Sequence, residues 1–156
     1  MTDKLTDKPI SIGSDHRGVA LKARLKAWLQ ANGYAVNDCG TDSGAERVDA
    51  MDYALKLVAE IKENRSDFAI GICGSGQMMA ITANRFPFIR AALLHSAAES
   101  VPAREHGDAN MLVLGADTID EAAAEQILTA FLDTATLGGR YSERRERLAR
   151  LEASAL

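Results

Sequence analysis

The chain has 156 residues, of which 47% are hydrophobic and 26% are charged, and its formal net charge at pH 7 is -4. This composition is typical of a globular domain, and the acidic balance argues against a protein that binds nucleic acid or a membrane surface. No apolar run approaches the roughly 20 residues of a membrane span.

Patterns typical of strands and helices alternate from the start of the chain. The first strand, ISIGS, precedes a helix that ends at Asn32-Gly33, a good C-terminal stop. The second strand, YAVND, precedes a helix with Asp49 as its N-cap. The third strand, FAIGIC, is entirely apolar, which indicates burial on both faces of a parallel sheet.

The same alternation continues in the second half of the chain. A third helix is predicted from about Met78 to Arg85, then the strand IRAALLH, and then a helix interrupted near Pro102. The fifth strand, NMLVLGA, precedes an amphipathic helix with Asp120 near its start. A last, charged helix is predicted over Tyr141–Glu152.

Five βα units with short connections predict a doubly wound α/β fold. We expect a five-stranded parallel sheet with helices on both faces, a Rossmann-like three-layer sandwich with an extra C-terminal helix. One domain should span residues 1–156, with residues 1–8 as a flexible leader rather than a secretory signal. The two cysteines, Cys39 and Cys73, form no CxxC pair, so we predict reduced thiols and a cytoplasmic location.

Ligands of such sheets bind at the carboxyl ends of the strands, where the strand order reverses. In the common order 2-1-3-4-5 that point lies between the first and third strands. The loops that leave these strands are SDHRG, residues 14–18, and CGSGQ, residues 73–77. The sequence therefore predicts a site where these two loops meet.

The loop after the third strand places a thiol beside a glycine-rich turn. Backbone N–H groups at a helix start favour negative charge, so we expect a lowered pKa for Cys73 and a role as general base or nucleophile. The alternative is a small buried apolar residue that closes a strand. The other loop contains Asp15 and His16. In one interpretation Asp15 is the N-cap of the next helix and His16 is a surface histidine. In the other, the two residues contact a hydroxyl or the phosphate of a substrate.

Two further groups are candidates for the same rim of the sheet. His106 stands at a predicted helix end just before the fifth strand, and we expect it on the carboxyl-end side, as a C-cap or as a functional group. Arg140 and Arg144 are four residues apart, either on a solvated helix or facing a shared anion. The histidines lack the spacing of metal ligands, so no metal is predicted.

The candidate residues described above lie in several sequence motifs that follow one another in a fixed order. They are IGSDHRGVALK, VNDCGT, GICGSG, ANRFPFIRAAL, AREHGDANMLVLG and GGRYSERR, between Ile10 and about Leu151. With them the chain resembles the ribose-5-phosphate isomerase B family, which includes galactose-6-phosphate isomerase subunits. The resemblance implies aldose–ketose isomerisation of a sugar phosphate without a cofactor. It also implies a homodimer, or a tetramer of paired dimers, with active sites at the subunit interface.

The resemblance also implies roles for individual residues. Cys73 would be the base that moves a proton through an enediolate, Ser75 would assist proton movement between the sugar oxygens, and His106 would open the ring from the partner chain. The oxyanion would be stabilised by the turn Gly74, Ser75 and Gly76. The implied substrate contacts are Asp15, His16 and Asn110, and the implied phosphate contacts are His16, Arg140 and Arg144.

The chain departs from the family's pattern at positions that contact substrate: Ala50, Met78, Gly107, Asp117 and Tyr141. In particular, Asp117 stands where an arginine is expected and removes one phosphate-binding charge. The resemblance therefore favours the reaction class over ribose 5-phosphate as the particular sugar. A non-catalytic phosphosugar-binding homologue, or a silent subunit of a hetero-oligomer, is the alternative. The fold alone suggests a third possibility, a nucleotide or flavin binder.

Overall fold

The computed structural model describes residues 4–151. Strands and helices alternate within this range as follows: β1 (Ile10–Ser14), a 3-10 turn (His16–Gly18), α1 (Val19–Ala31), β2 (Val36–Asp38), α2 (Ala50–Lys62), β3 (Ala69–Cys73), α3 (Gln77–Ala83), β4 (Ala91–Leu93), α4 (Ala97–Glu105), β5 (Met111–Gly115), α5 (Glu121–Asp133) and α6 (Arg140–Ala149). None of the helices in this part of the chain is long and apolar enough to cross a membrane.

The five strands form one parallel sheet in the order β2-β1-β3-β5-β4. The strand order 2-1-3-4-5 that was expected from the sequence is therefore wrong at one end of the sheet, because β5 lies between β3 and β4. The reason is relative burial: all five residues of β5 are buried, whereas the three of β4 are only half-buried, as suits an edge strand. The reversal between β1 and β3 is unaffected, and it is this reversal that positions the site.

Right-handed crossovers decide which face of the sheet each helix covers. The connections β1–β2 and β4–β5 run in one direction along the sheet, so their helices, α1 and α4, lie on one face. The connections β2–β3 and β3–β4 run in the other direction, so α2 and α3 lie on the opposite face. Helix α5 packs beside α1 and α4. Leu25 and Phe131 belong to the core on the α1 side, and Leu57 and Met79 to the core on the α2 side. The predicted three-layer sandwich is confirmed.

The predicted starts of two helices are also confirmed. The Asp49 carboxylate accepts a hydrogen bond from the Met51 backbone N–H at 2.9 Å and caps α2. The Asp120 carboxylate accepts from the Ala123 N–H at 2.7 Å and caps α5. Each cap satisfies a donor that has no partner within the helix.

The expected interruption of α4 at Pro102 is wrong, since the helix continues through it. Proline removes one intrahelical hydrogen bond, and contacts with α5 hold the helix on both sides of it. Before the proline, the Ser100 hydroxyl donates to the Ile127 carbonyl at 3.0 Å. After it, Arg104 Nε donates to the Thr134 carbonyl at 3.2 Å.

Both ends of the chain differ from the sequence-based expectation. Thr6 is buried and donates to the Asp67 carboxylate at 2.6 Å, while Lys8 forms an ion pair with the same carboxylate at 2.7 Å. The expectation of a flexible leader is therefore wrong for residues 4–8, and residues 1–3 lie outside the described range. The last helix, predicted to reach Glu152, ends at Ala149, and Glu152 lies beyond the described residues.

A buried cation holds the loop after β2 against α1. Lys22 is 2% exposed, and its ammonium donates to Asp38 at 2.6 Å and to Asp42 at 2.7 Å. Partial burial alone would raise the pKa of Asp38, but hydrogen bonds from Lys22, the Gly40 amide and Lys26 outweigh it and hold the pKa below its ordinary value.

We expect Lys22→Met to lower the free energy of unfolding by about 3 kcal/mol, because it leaves a partly buried carboxylate without its main partner. Urea denaturation measures the change. Lys26→Met is the matched control: Lys26 contacts the same carboxylate at 3.0 Å but is 36% exposed, so less than about 1 kcal/mol should be lost. Equal losses in the two variants would contradict this account.

Candidate functional site

Cys73 closes the central strand β3, beside Gly115 of β5. Its side chain is 3% exposed and belongs to the apolar core on the α2 side of the sheet. The Gly76 backbone N–H donates to the Cys73 sulfur at 3.2 Å. The sulfur is therefore a buried core atom, as in the interpretation of Cys73 as a small apolar residue. It also accepts a hydrogen bond from the glycine-rich turn, as in the interpretation of Cys73 as a base or nucleophile.

The prediction of a lowered pKa for Cys73 is wrong. Burial raises the pKa of the thiol above its ordinary value, and the nearby Asp15 carboxylate raises it further. The N–H groups of Met79, Gly76 and Ser75 favour the thiolate but do not outweigh burial. The physical reason is the position of β3 in the middle of the sheet, where the sulfur is removed from water. At neutral pH these surroundings favour the thiol over the thiolate.

The turn Gly74-Ser75-Gly76 packs directly on the end of β5. Gly76 has φ 77°, a left-handed conformation that favours glycine, and a Cβ there would collide with Leu93. A Cβ on Gly115 would lie 2.7 Å from the Ser75 carbonyl oxygen, so this close approach also needs glycine. Ser75 itself is exposed on the outer side of the turn.

The loop after β1 lies beside this turn, as the sequence predicts. Asp15 is 6% exposed, its backbone N–H donates to the Ile72 carbonyl at 3.1 Å, and its carboxylate accepts from the Arg17 N–H at 2.9 Å. The His16 ring accepts the Val48 N–H at Nδ1, at 3.3 Å. This contact places the proton of the neutral ring on Nε2, which can donate to a ligand.

An ion pair that the sequence did not single out bridges the site. Arg17 Nη2 lies 2.5 Å from Asp117 Oδ2, so the loops after β1 and β5 are joined across the turn after β3. Arg17 follows two candidate site residues in the chain, Asp15 and His16, but no pattern in the sequence indicated where its side chain lies.

The expected position of His106 on the carboxyl-end side is wrong. In a parallel sheet a helix begins near the carboxyl end of one strand and runs back to the amino end of the next. His106 is the C-cap of α4, just before β5, so it lies at the amino-end edge. The four steps from Met111 to Gly115, at about 3.3 Å each, separate the two edges by roughly 13 Å.

A second group of predicted residues gathers around Tyr141, at the start of α6. The His106 ring stacks on the Tyr141 ring, with centroids 4.2 Å apart and an interplanar angle of 5°. The guanidinium carbons of Arg140 and Arg144 lie 4.9 and 5.9 Å from the Tyr141 centroid. Arg145 donates to the His106 carbonyl at 3.1 Å, which fixes α6 to the end of α4.

The structure gives Asn110 a different role from substrate binding. It is 9% exposed at the amino-end edge, where its Nδ2 donates to the Phe88 carbonyl at 2.9 Å and its Oδ1 accepts from the Arg90 N–H at 2.8 Å. Both polar atoms hold the loop before β4, so the structure accounts for this side chain by its support of that loop.

Two groups of candidate site residues therefore lie at opposite edges of one sheet. The carboxyl-end cluster consists of Asp15, His16 and residues 73–76, and the amino-end cluster consists of His106, Arg140, Tyr141 and Arg144. Across residues 4–151, no group of three or more His, Cys, Asp or Glu side chains is arranged to hold a metal ion.

Comparison with known proteins places the chain among sugar isomerases. Residues 10–148 match the family model described as Ribose/Galactose Isomerase. Ribose-5-phosphate isomerase B of Escherichia coli is 34% identical over 93% of this chain and 97% of its own length. The D-erythrulose-4-phosphate isomerase of Pectobacterium atrosepticum is 33% identical over 92% and 94%. The crystal structure of a ribose 5-phosphate isomerase from Thermotoga maritima matches with a TM-score of 0.89 and 40% identity, over 94% of this chain and all of that one.

Proposed function

The chain belongs to the ribose/galactose isomerase family, and we propose that it interconverts the aldose and ketose forms of a sugar phosphate with Cys73 as the base. The observation that carries the proposal is the position of the Cys73 sulfur. It lies at the end of the central strand, beside Asp15 and under a turn of backbone N–H donors. An enediolate reaction needs a base and preformed donors next to each other.

The turn supports the movement of charge during the reaction. The Cys73 thiolate takes a proton from the carbon beside the carbonyl, so its sulfur becomes neutral while a substrate oxygen gains negative charge. The N–H groups of Gly74, Ser75 and Gly76 can then stabilise that oxygen as an oxyanion hole. The exposed Ser75 hydroxyl moves a proton between the two sugar oxygens, and the sulfur returns its proton to the neighbouring carbon.

The remaining groups hold the substrate. The Asp15 carboxylate accepts a hydrogen bond from a sugar hydroxyl. His16 donates from Nε2 to the phosphate, and the partner subunit's Arg140 and Arg144 supply positive charge to the same phosphate. The partner subunit's His106 opens the sugar ring by relaying a proton from the anomeric hydroxyl, which becomes the carbonyl, to the ring oxygen as its bond to C1 breaks.

Separation of the two clusters within one chain supports a homodimer with shared sites, which can pair further into a tetramer. A second feature supports it as well. Helices α2 and α3 pack together on one face of the sheet and expose large apolar side chains near the carboxyl-end cluster: Met51, Leu55, Met78 and Ile81. Sizing chromatography tests this proposal, and an active monomer at low concentration would contradict it.

The raised pKa of Cys73 predicts the pH dependence of the reaction. Because only the thiolate acts as base, kcat/KM should rise about tenfold per pH unit from neutral pH and level off only above the ordinary thiol pKa of about 8.5. Initial rates between pH 7 and 10 give the profile. A plateau that is already reached at pH 7 would show that the free enzyme holds a thiolate.

The sugar is the open part of the proposal. Two relatives are named for ribose 5-phosphate and D-erythrulose 4-phosphate, which differ in chain length. We propose the interconversion of ribose 5-phosphate and ribulose 5-phosphate, or of a related sugar phosphate. Incubation with a panel of aldose and ketose phosphates in heavy water tests the reaction, because proton abstraction exchanges a carbon-bound hydrogen for deuterium.

The burial of Cys73 favours one competing function, a phosphosugar-binding homologue or a silent subunit without catalysis. Such a protein would be stabilised against heat by a sugar phosphate and yet exchange no hydrogen. Isomerisation of any sugar of the panel would exclude it.

A further inference from the structure

Tyr141 connects the histidine and the two arginines of the amino-end cluster. Its ring lies parallel to the His106 ring, with centroids 4.2 Å apart and an interplanar angle of 5°. Its hydroxyl accepts a hydrogen bond from Arg140 Nη2 at 2.8 Å, and the Arg144 guanidinium carbon lies 5.9 Å from its centroid. One side chain therefore contacts both the imidazole and the guanidinium groups of the cluster.

The stack sets the plane of the His106 ring. The His106 side chain is 39% exposed, and its Nε2 lies 3.9 Å from the Glu105 carboxylate, which is too far for a hydrogen bond. The nitrogens of an imidazole donate and accept hydrogen bonds in the plane of the ring. A stacked partner such as Tyr141 therefore fixes that plane without occupying either nitrogen.

Two of the positions at which the chain departs from the family's pattern lie at His106. Gly107 follows it directly in the chain, and Tyr141 covers its ring. Glycine has no side chain and leaves the backbone more freedom than other residues do, so Gly107 does little to restrain the neighbouring imidazole. Tyr141 supplies that restraint from another helix.

Helix α6 is attached to α4 by contacts that do not involve Tyr141. Arg145 donates to the His106 carbonyl at 3.1 Å and to the Leu137 carbonyl at 2.8 Å. The Leu137 N–H in turn donates to the Glu105 carbonyl at 2.9 Å. Replacing Tyr141 should therefore leave α6 in place, so that a change of activity reports on the stack and not on the loss of the helix.

The chemistry of a cyclic sugar phosphate requires such a connection. In a furanose 5-phosphate the ring oxygen and the phosphorus are joined through C4, C5 and O5 only. A group that protonates the ring oxygen must therefore keep a fixed position relative to the groups that bind the phosphate. In the proposed function His106 has the first task, and Arg140 and Arg144 have the second. Tyr141 contacts all three.

We propose that Tyr141 is a positioning residue for ring opening, which holds the His106 imidazole at the ring oxygen while Arg140 and Arg144 hold the phosphate. This inference rests on the proposed function and adds a residue that acts through His106, before the proton transfer at Cys73 begins. Tyr141 should therefore matter for a sugar that enters the site as a closed ring, and not for one that enters as an open chain.

The pair ribose 5-phosphate and ribulose 5-phosphate separates ring opening from proton abstraction. The aldose is mainly a furanose, whereas the ketose stays open because the oxygen that would close its ring carries the phosphate. Exchange of a C1 hydrogen of ribulose 5-phosphate in heavy water therefore needs the base but no ring opening. We expect Tyr141→Leu to lower kcat/KM for ribose 5-phosphate about tenfold and the initial rate of ketose exchange by less than about twofold.

Two further variants identify the group responsible. Tyr141→Phe keeps the aromatic stack and loses only the hydrogen bond from Arg140, so it should restore most of the activity on ribose 5-phosphate. His106→Asn should show the same difference between the two assays as Tyr141→Leu, with a larger loss on the aldose of about 10²-fold or more. Tyr141→Gln repeats the test if Tyr141→Leu does not fold.

Tyr34→Leu is the matched control. Tyr34 is also half-buried, and the Lys4 ammonium nitrogen lies 5.5 Å from its ring centroid. It precedes β2, at the far edge of the sheet from β4. This variant should leave both assays unchanged.

Three results would overturn the inference while the isomerase function stands. Equal losses in the two assays for Tyr141→Leu would mean that Tyr141 supports the phosphate-binding arginines and not ring opening. Unchanged rates in both assays would leave the stack without a part in the reaction. Conversion of tetrose 4-phosphates only, such as the sugar for which one relative is named, would exclude ring opening, because no ring can close in them. If the wild-type protein isomerises no sugar phosphate at all, the proposed function itself fails and the inference with it.

Discussion

Mixing two inactive variants should restore activity, because each site of the proposed dimer takes one cluster from each chain. Cys73→Ala disables the carboxyl-end cluster, and His106→Asn/Arg144→Ala disables the amino-end cluster. In a mixed dimer one site then carries all the substitutions and the other carries none. Random assortment makes half of the dimers mixed, so about a quarter of wild-type activity should return.

Co-expression with two different affinity tags isolates the mixed dimer, which should have about half of wild-type activity. A second pair of variants serves as the control. Cys73→Ala mixed with Asp15→Ala combines two defects in the same cluster, so both sites of a mixed dimer stay defective and no activity returns. Equal behaviour of the two mixtures would show that the clusters do not combine across chains.

The sheet and its site could be predicted because the signals are local. An apolar run such as residues 68–73 indicates a buried strand without reference to the rest of the chain, and the adjacency of β1 and β3 follows from the commonest topology. The exchange of β4 and β5 depends on the relative burial of two strands that both look apolar in the sequence. Only the packed sheet decides which one lies at the edge.

The errors at the site have different origins. The position of His106 followed from topology and could have been predicted, since a residue just before a parallel strand lies at the amino-end edge. The pKa of Cys73 could not, because it depends on how far burial outweighs the N–H donors of the turn. Nor could the stacking of Tyr141 on His106, or the reach of Arg17 to Asp117, since both join residues that are distant in sequence.

Replacing Cys73 by alanine should have the largest effect on catalysis. A general base contributes about 10²- to 10⁴-fold to a rate, so we expect kcat to fall by about 10³-fold or more with little change in KM. Cys73→Ser should lose as much, because a buried hydroxyl is far less acidic than a thiol. Thermal denaturation and steady-state rates separate this loss from a loss of fold.

The chain contains its own control for this substitution. Cys39 is the other free thiol, half-buried at the end of β2, and burial raises its pKa as it does that of Cys73. Cys39→Ala should therefore keep wild-type kcat, although it removes a similar group from a similar environment. A difference between the two variants then reflects the position of the sulfur in the site and not thiol chemistry in general.

A Cys73→Ala protein with full activity would move the base to another group in the cluster. The nearest is Asp15, whose carboxylate lies close enough to raise the pKa of the thiol. Asp15→Asn alone would then abolish hydrogen exchange, and adding Cys73→Ala to it would change nothing further. If Cys73 is the base, Asp15→Asn instead removes a negative charge beside the thiol and shifts the alkaline rise of kcat/KM to lower pH. That shift assigns the proton transfer to sulfur.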